Sequence, residues 1–190
     1  MKQFAIISSS IRIQRNSHFV ALYFKSYIEK NNLGSVEILD LNEYNFPLFD
    51  ERMRFQKDPS DKVLDFAARV ENADGIIIVT PEYNGGYPAS LKNAIDVLHK
   101  EWYHKPVAIS TVSDGNFGGS QVIISLQFIL WKIKAWTVPA MFPVPDVKEV
   151  FDAQGVPVNR ETLDKRADTF IKELLWCIEA KRRMNDPLQN

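Results

Sequence analysis

A chain of 190 residues, 45% hydrophobic and 25% charged, has the proportions of an ordinary globular protein and the length for one sizeable core, so a single domain over residues 1–190 is expected. Its 23 Lys+Arg against 24 Asp+Glu leave a net charge of −1, which excludes the basic footprint of a nucleic-acid binder or of a protein held on an anionic membrane. The one cysteine, Cys177, excludes an internal disulfide and a thiolate metal cluster; no metal is expected, and a cytoplasmic setting is the simplest reading.

Residues 3–8 read as a first strand, with an apolar run too short for a signal peptide. Phe19, Val20, Tyr23, Tyr27 and Ile28 then make one helical stripe. Residues 35–41 read as the second strand, followed by a stripe of Val63, Phe66, Ala67 and Val70. Residues 75–80 hold the unbroken run Ile76-Ile77-Ile78-Val79, the third strand. Pro88 is placed to be the first residue of a helix whose Leu91, Ala94, Ile95 and Leu98 share one face. Residues 107–112 give the fourth strand. Residues 122–133 are apolar on more than one side but too short to span a bilayer, which suits a buried or interface helix. Residues 136–140 read as a weaker fifth strand. Leu163, Ala167, Phe170, Ile171, Leu174 and Ile178 form the last stripe, with Cys177 as a small buried hydrophobe. The polar tail, residues 181–190, is expected to fray, with Lys181, Arg182 and Arg183 at a solvated helix end.

Continuous apolar runs, rather than alternating ones, suit strands covered on both faces. Strands alternating with helices imply a parallel sheet with right-handed crossovers. Five strands fit a flavodoxin-like three-layer α/β sandwich with strand order 2-1-3-4-5. Ligands in such sheets bind beyond the carboxyl ends of the strands, at the switch point between strands one and three.

The loops at that end are informative. Of 8 glycines, five fall in two loops: Gly85 and Gly86 after strand three, and Gly115, Gly118 and Gly119 after strand four. The loop after strand one runs Ser8-Ser9-Ser10-Ile11-Arg12-Ile13-Gln14-Arg15-Asn16-Ser17 into a helix. Hydroxyls, a helix N-terminus and two arginines suit one phosphate monoester. Turn-making serines and helix capping by Asn16 or Ser17 account for the same residues equally well. Neither a triphosphatase P-loop nor a Gly-x-Gly-x-x-Gly fingerprint is present. His18, His99 and His104 have no metal-ligand spacing and read as surface or capping residues.

The segment Thr80-Pro81-Glu82-Tyr83-Asn84-Gly85-Gly86-Tyr87, followed by Leu91-Lys92-Asn93-Ala94-Ile95-Asp96, resembles the most diagnostic stretch of the NAD(P)H-dependent FMN reductase family, which includes quinone, azo-dye and chromate reductases. Ile7-Ser8-Ser9-Ser10-Ile11-Arg12 is similar to that family's opening glycine-serine-x-arginine. The leucine-proline loop after strand two (Leu41, Phe46, Pro47, Leu48) and Ser113-Asp114-Gly115-Asn116-Phe117-Gly118-Gly119 also resemble family segments. The resemblance runs from the first strand to about Pro139; residues 142–159 align only loosely.

The resemblance implies an FMN-dependent oxidoreductase that passes a hydride from NADPH or NADH through bound FMN to a small acceptor such as a free flavin or quinone. It implies Ser10, Arg12, Asn16 and Ser17, assisted by Arg15, at the FMN phosphate. It implies Pro81, Glu82, Tyr83 and Asn84 at the ring and ribityl chain, and Ser113, Gly115, Gly118 and Gly119 closing the other side. It implies no side-chain nucleophile, and a homodimer or homotetramer with no nucleic-acid or membrane partner. Tyr83 and Tyr87 are candidates for the apolar wall; Phe117 is expected to be plain packing, and Glu82 a residue placed by its loop rather than a catalytic acid. Ser9 stands where the family usually has glycine; were positive φ required there, the serine would be strained by about 1 kcal/mol. The competing expectations are an electron-carrier flavoprotein without NAD(P)H turnover, which the near-neutral charge disfavours, and a flavin-free relative of the same fold.

Overall fold

Five parallel strands form one sheet in the order β2-β1-β3-β4-β5, as expected: β1 (Gln3–Ser8), β2 (Ser35–Asp40), β3 (Gly75–Pro81), β4 (Pro106–Val112) and β5 (Trp136–Val144). The structure is a computed structural model and describes residues 1–185. Every residue of β3 and β4 is buried, which is why their sequences are apolar without alternation. Successive β1 residues point to opposite sides. Phe4 and Ile6 join one core with Phe24 of α1 (Ser17–Lys30) and Phe170 and Leu174 of α7 (Arg160–Asn185). Ala5 and Ile7 join the other. That second core is completed by Phe66 of α3 (Asp61–Asn72), Leu91 of α4 (Ala89–Val97) and Leu126 of α5 (Gln121–Lys132).

Helix starts follow local chemistry. Ser60 caps α3, its Oγ accepting from the N–H of Val63 at 3.4 Å. Pro88 proves to be the N-cap of α4 and not its first residue; its φ of −60° and ψ of 146° are extended. Cys177 is fully buried, as expected.

Two boundaries depart from expectation by more than a residue. β5 continues through Val144, past Pro139 and Pro143, because it is an edge strand and proline removes no second ladder there. α7 runs through Asn185, so residues 181–184 are helical; Glu179 accepts from both Arg182 and Arg183, which supports that last turn. The rest of the expected tail, 186–190, lies outside the described residues. Two short helices, α2 (Leu41–Tyr44) and α6 (Val147–Val150), carry too few residues to show a period. The carboxyl ends of β1, β3 and β4 stand side by side, and their loops meet at one rim.

Candidate active site

The first loop leaves β1 on a buried turn. Ser9 donates its N–H to Val79 O at 3.1 Å and accepts from Ser90 Oγ at 2.6 Å on its carbonyl. Its φ is not positive, so the anticipated strain does not arise. Ser10 Oγ lies 2.7 Å from Tyr83 Oη, which ties the first loop to the third. Arg12 is exposed, with its guanidinium carbon 5.5 Å from the Tyr83 ring centroid.

The loop ends at α1. Asn16 occupies the N-cap but its side chain makes no capping bond. Among the described residues no backbone carbonyl takes the N–H of Asn16 or Ser17. The positive end of a 14-residue helix therefore faces the cleft with donors to spare. Arg15 is engaged differently. Both its Nη atoms donate to the Asp40 carboxylate, Nη2 at 2.7 Å, and Nη1 also donates to Ser10 O at 3.2 Å. His18 is not a surface or capping residue: it is half-buried, with Nδ1 3.0 Å from Ser8 Oγ and 3.7 Å from Asp40 Oδ2. Burial and the nearby Arg15 charge push its pKa down, against the pull of Asp40 and Glu43.

The third-strand loop is a tight hairpin. Tyr83 and Gly86 exchange hydrogen bonds of 2.7 and 3.0 Å across Asn84 (φ 52°) and Gly85 (φ 78°), the paired positive dihedrals of a type I′ turn. Glu82 Oε2 accepts from the N–H of Gln121 at 3.2 Å, so this carboxylate serves the N-terminus of α5. Tyr87 is half-buried against the α3–α5 core. Phe117 is 75% exposed, on the loop between β4 and α5, which corrects the expectation that it packs internally.

In the fourth-strand loop Ser113 Oγ donates to Gly115 O at 2.7 Å. Gly118 and Gly119 are buried with φ of 62° and 71°. A methyl group at Gly118 would come within 2.9 Å of Pro143 Cβ, and one at Gly119 within 3.2 Å of Thr111 Cβ. These two glycines shape the loop from behind.

A cleft of about 190 Å³ lies between the three loops. Ser10, Arg12, Arg15, Asn16, Ser17, Pro81, Glu82, Tyr83 and Ser113 line it, joined by Gln14, Val112, Asp114 and Val147. Asn84, Gly115, Gly118 and Gly119 stand outside that lining. Sequence reasoning missed Val147 because α6 lies in the segment without a recognisable pattern. The cleft shares Arg12, Gln14, Arg15, Asn16, Asp114 and Val147 with a larger depression of about 720 Å³ floored by Phe19 and Phe151. Lys148 bonds Asp114 at 2.8 Å on its wall. Among the described residues no cluster of His, Cys, Asp and Glu could hold a metal ion.

Comparison with known proteins meets this geometry. The family model described as NADPH-dependent FMN reductase matches residues 1–149. The chain belongs to that family. It is 38% identical to an NAD(P)H-dependent FMN reductase of Saccharomyces cerevisiae, over 93% of this chain and 97% of the relative. It is 39% identical to a quinone reductase of Escherichia coli, over 63% and 67% respectively. In structure it resembles a flavoenzyme NAD(P)H:(acceptor) oxidoreductase from Paracoccus denitrificans, with a TM-score of 0.77 at 22% identity over 94% of this chain and 98% of the other, which bears on the fold.

A family member of this kind is an NAD(P)H-dependent oxidoreductase that uses FMN. The donor set fits that cofactor. One exposed guanidinium, the spare N–H groups at the start of α1 and Asn16 line the same cleft, a donor set suited to a phosphate monoester. Among the described residues no helix is long and apolar enough to cross a membrane.

Proposed function

We propose that this FMN reductase holds the flavin phosphate with Ser10, Arg12, Asn16 and Ser17, assisted by Arg15. Pro81, Glu82, Tyr83 and Asn84 border the ring and ribityl chain, and the loop of Ser113, Gly115, Gly118 and Gly119 closes the far side. The meeting in one cleft of exposed Arg12 and of α1 N–H groups that no backbone carbonyl among the described residues takes carries this reading.

When bound, FMN supplies the two-electron chemistry between NADPH or NADH and an acceptor. The chain's own contribution is to bind and orient. The α1 terminus and Arg12 neutralise a phosphate. The Tyr83–Gly86 hairpin offers backbone along one edge. No side chain needs to act as nucleophile or metal ligand. The acceptor is a small molecule, of the quinone or free-flavin class; relatives named quinone reductase and azoreductase support this.

We further propose that the chain works as one cytoplasmic domain and as a homodimer or homotetramer. Ile124, Phe128 and Trp131 of α5 are 61–77% exposed, an apolar face that a second copy would cover. Sedimentation of Phe128→Glu as a smaller species than the wild type tests the assembly. Steady NADPH or NADH oxidation that needs both FMN and a quinone tests the activity; bound yellow cofactor without turnover would overturn it.

A further inference from the structure

The parallel register of β1 and β2 ends on the pair Ser8 and Asp40. Asp40 is a buried carboxylate, 3% exposed, at the carboxyl end of β2. It serves two masters. Its Oδ1 accepts from the N–H of Asn42 at 3.0 Å, capping α2, and the whole carboxylate accepts the Arg15 fork. A carboxylate so far from solvent is stable only with such a partner, and the arginine is itself mostly covered, its side chain 17% exposed. Arg15 Nη1 spends one hydrogen on Asp40 and the other on Ser10 O. The Ser10 carbonyl belongs to the residue whose Oγ faces Tyr83. The path from the end of β2 to the turn of the first loop is thus continuous.

We propose that Asp40 is a positioning residue for the flavin phosphate: it fixes Arg15 as a brace across the first loop, so that Arg15 shapes the loop through Ser10 O while Arg12 and the α1 N–H groups make the anion contacts. This rests on the assignment of the first loop to the phosphate. The two arginines of the loop then have different duties. Arg12, exposed and without a carboxylate partner in the cleft, is the ligand. Arg15, charge-compensated by Asp40, adds little net positive potential and supplies geometry instead. The pairing also keeps Arg15, which is mostly covered, from being an uncompensated buried cation.

The test is binding, read on two flavins. Asp40→Asn keeps an acceptor for the Asn42 N–H, since asparagine caps as well as aspartate, but removes the charge that holds Arg15. Apoprotein is titrated with FMN and with riboflavin, which has the ring and no phosphate, and its thermal midpoint is recorded. The brace requires Asp40→Asn to weaken FMN roughly 10- to 100-fold while riboflavin affinity stays within about threefold of wild type. Arg15→Met should match it, and the double variant should be no weaker than either single one. Unchanged or tightened FMN binding in Asp40→Asn overturns the brace, tightening meaning that a released Arg15 reaches the phosphate itself. Equal weakening of both flavins also overturns it and assigns Asp40 to general stability. Should Asp40→Asn not fold, Arg15→Met is read by the same two titrations. Wild-type protein that binds FMN no better than riboflavin contradicts the phosphate site itself, and the brace with it.

Discussion

Ser10 Oγ and Tyr83 Oη lie 2.7 Å apart, so the loops that follow β1 and β3 are joined by a side-chain bond between residues 73 positions apart. A part-buried neutral bond of this kind contributes about 0.5–1.5 kcal/mol. Tyr83→Phe should lower unfolding free energy by that amount in urea, and Ser10→Ala on top of it should add little. Full additivity of the two would mean that the hydroxyls do not act together.

Arg12→Ala should weaken FMN binding by roughly 1.5–3 kcal/mol, about ten- to a hundred-fold, by loss of a charge-assisted phosphate bond. Among the described residues Arg12 has no carboxylate partner, and it lines the cleft, so the loss should appear in FMN titrations and be absent with riboflavin. An unchanged FMN dissociation constant would remove Arg12 from the phosphate site.

Much of this was legible in the sequence, for physical reasons. Ile76 to Val79 cannot be exposed on either face of a sheet, so β3 was plain, and the strand order followed from alternation with helices. The loops after β1, β3 and β4 were selected by the switch-point rule, and two of them line the cleft with most of their expected residues. The Asp40–Arg15 pair was not legible, because nothing local to Asp40 marks an acid 25 positions from its partner as buried. Residues 139–145, with three prolines, hid the end of β5, since edge-strand proline reads as loop. Gly118 and Gly119 were found as glycines, but only the packing against Pro143 and Thr111 shows that they build the loop from behind.

Gly119→Ala should destabilise the fold by about 1–3 kcal/mol, because φ is 71° and the new methyl would press on Thr111 Cβ at 3.2 Å. Gly115→Ala is the control: its φ is not positive and a methyl there meets nothing within 4 Å. Urea midpoints of the two variants should differ clearly, and equal midpoints would contradict the loop geometry.

Lys105 lies at the opposite end of the sheet, just before β4, and is 3% exposed. Its Nζ donates to Glu71 O at 2.8 Å and Ala73 O at 2.5 Å. Burial, helped by Lys181, lowers its pKa to about 8, against the opposing pull of Asp74 and Glu71. The unfolded chain keeps this proton up to about pH 10.5, where the native state has already lost it. The Lys105 contribution to stability should therefore rise with pH from about 8 towards 10, by order 1–3 kcal/mol, while buried Cys177, whose pKa burial raises, pulls the other way over the same window. Tyr23 and Tyr44, whose pKa values are raised by burial and by bonds to Asp164 and Asp65, reverse the trend above that window. Urea unfolding of Lys105→Met should show the rise removed; a rise of the same size in the variant would exclude Lys105 as its source.

Whether the three strand-end loops hold a flavin that NAD(P)H reduces is read from the visible spectrum of purified protein loaded with FMN and mixed anaerobically with NADPH, then NADH. The oxidised-flavin absorbance should be lost with at least one nicotinamide and should return on addition of a quinone. Protein that retains no FMN, or retains it and keeps its oxidised spectrum in excess of both nicotinamides, would contradict the proposed function.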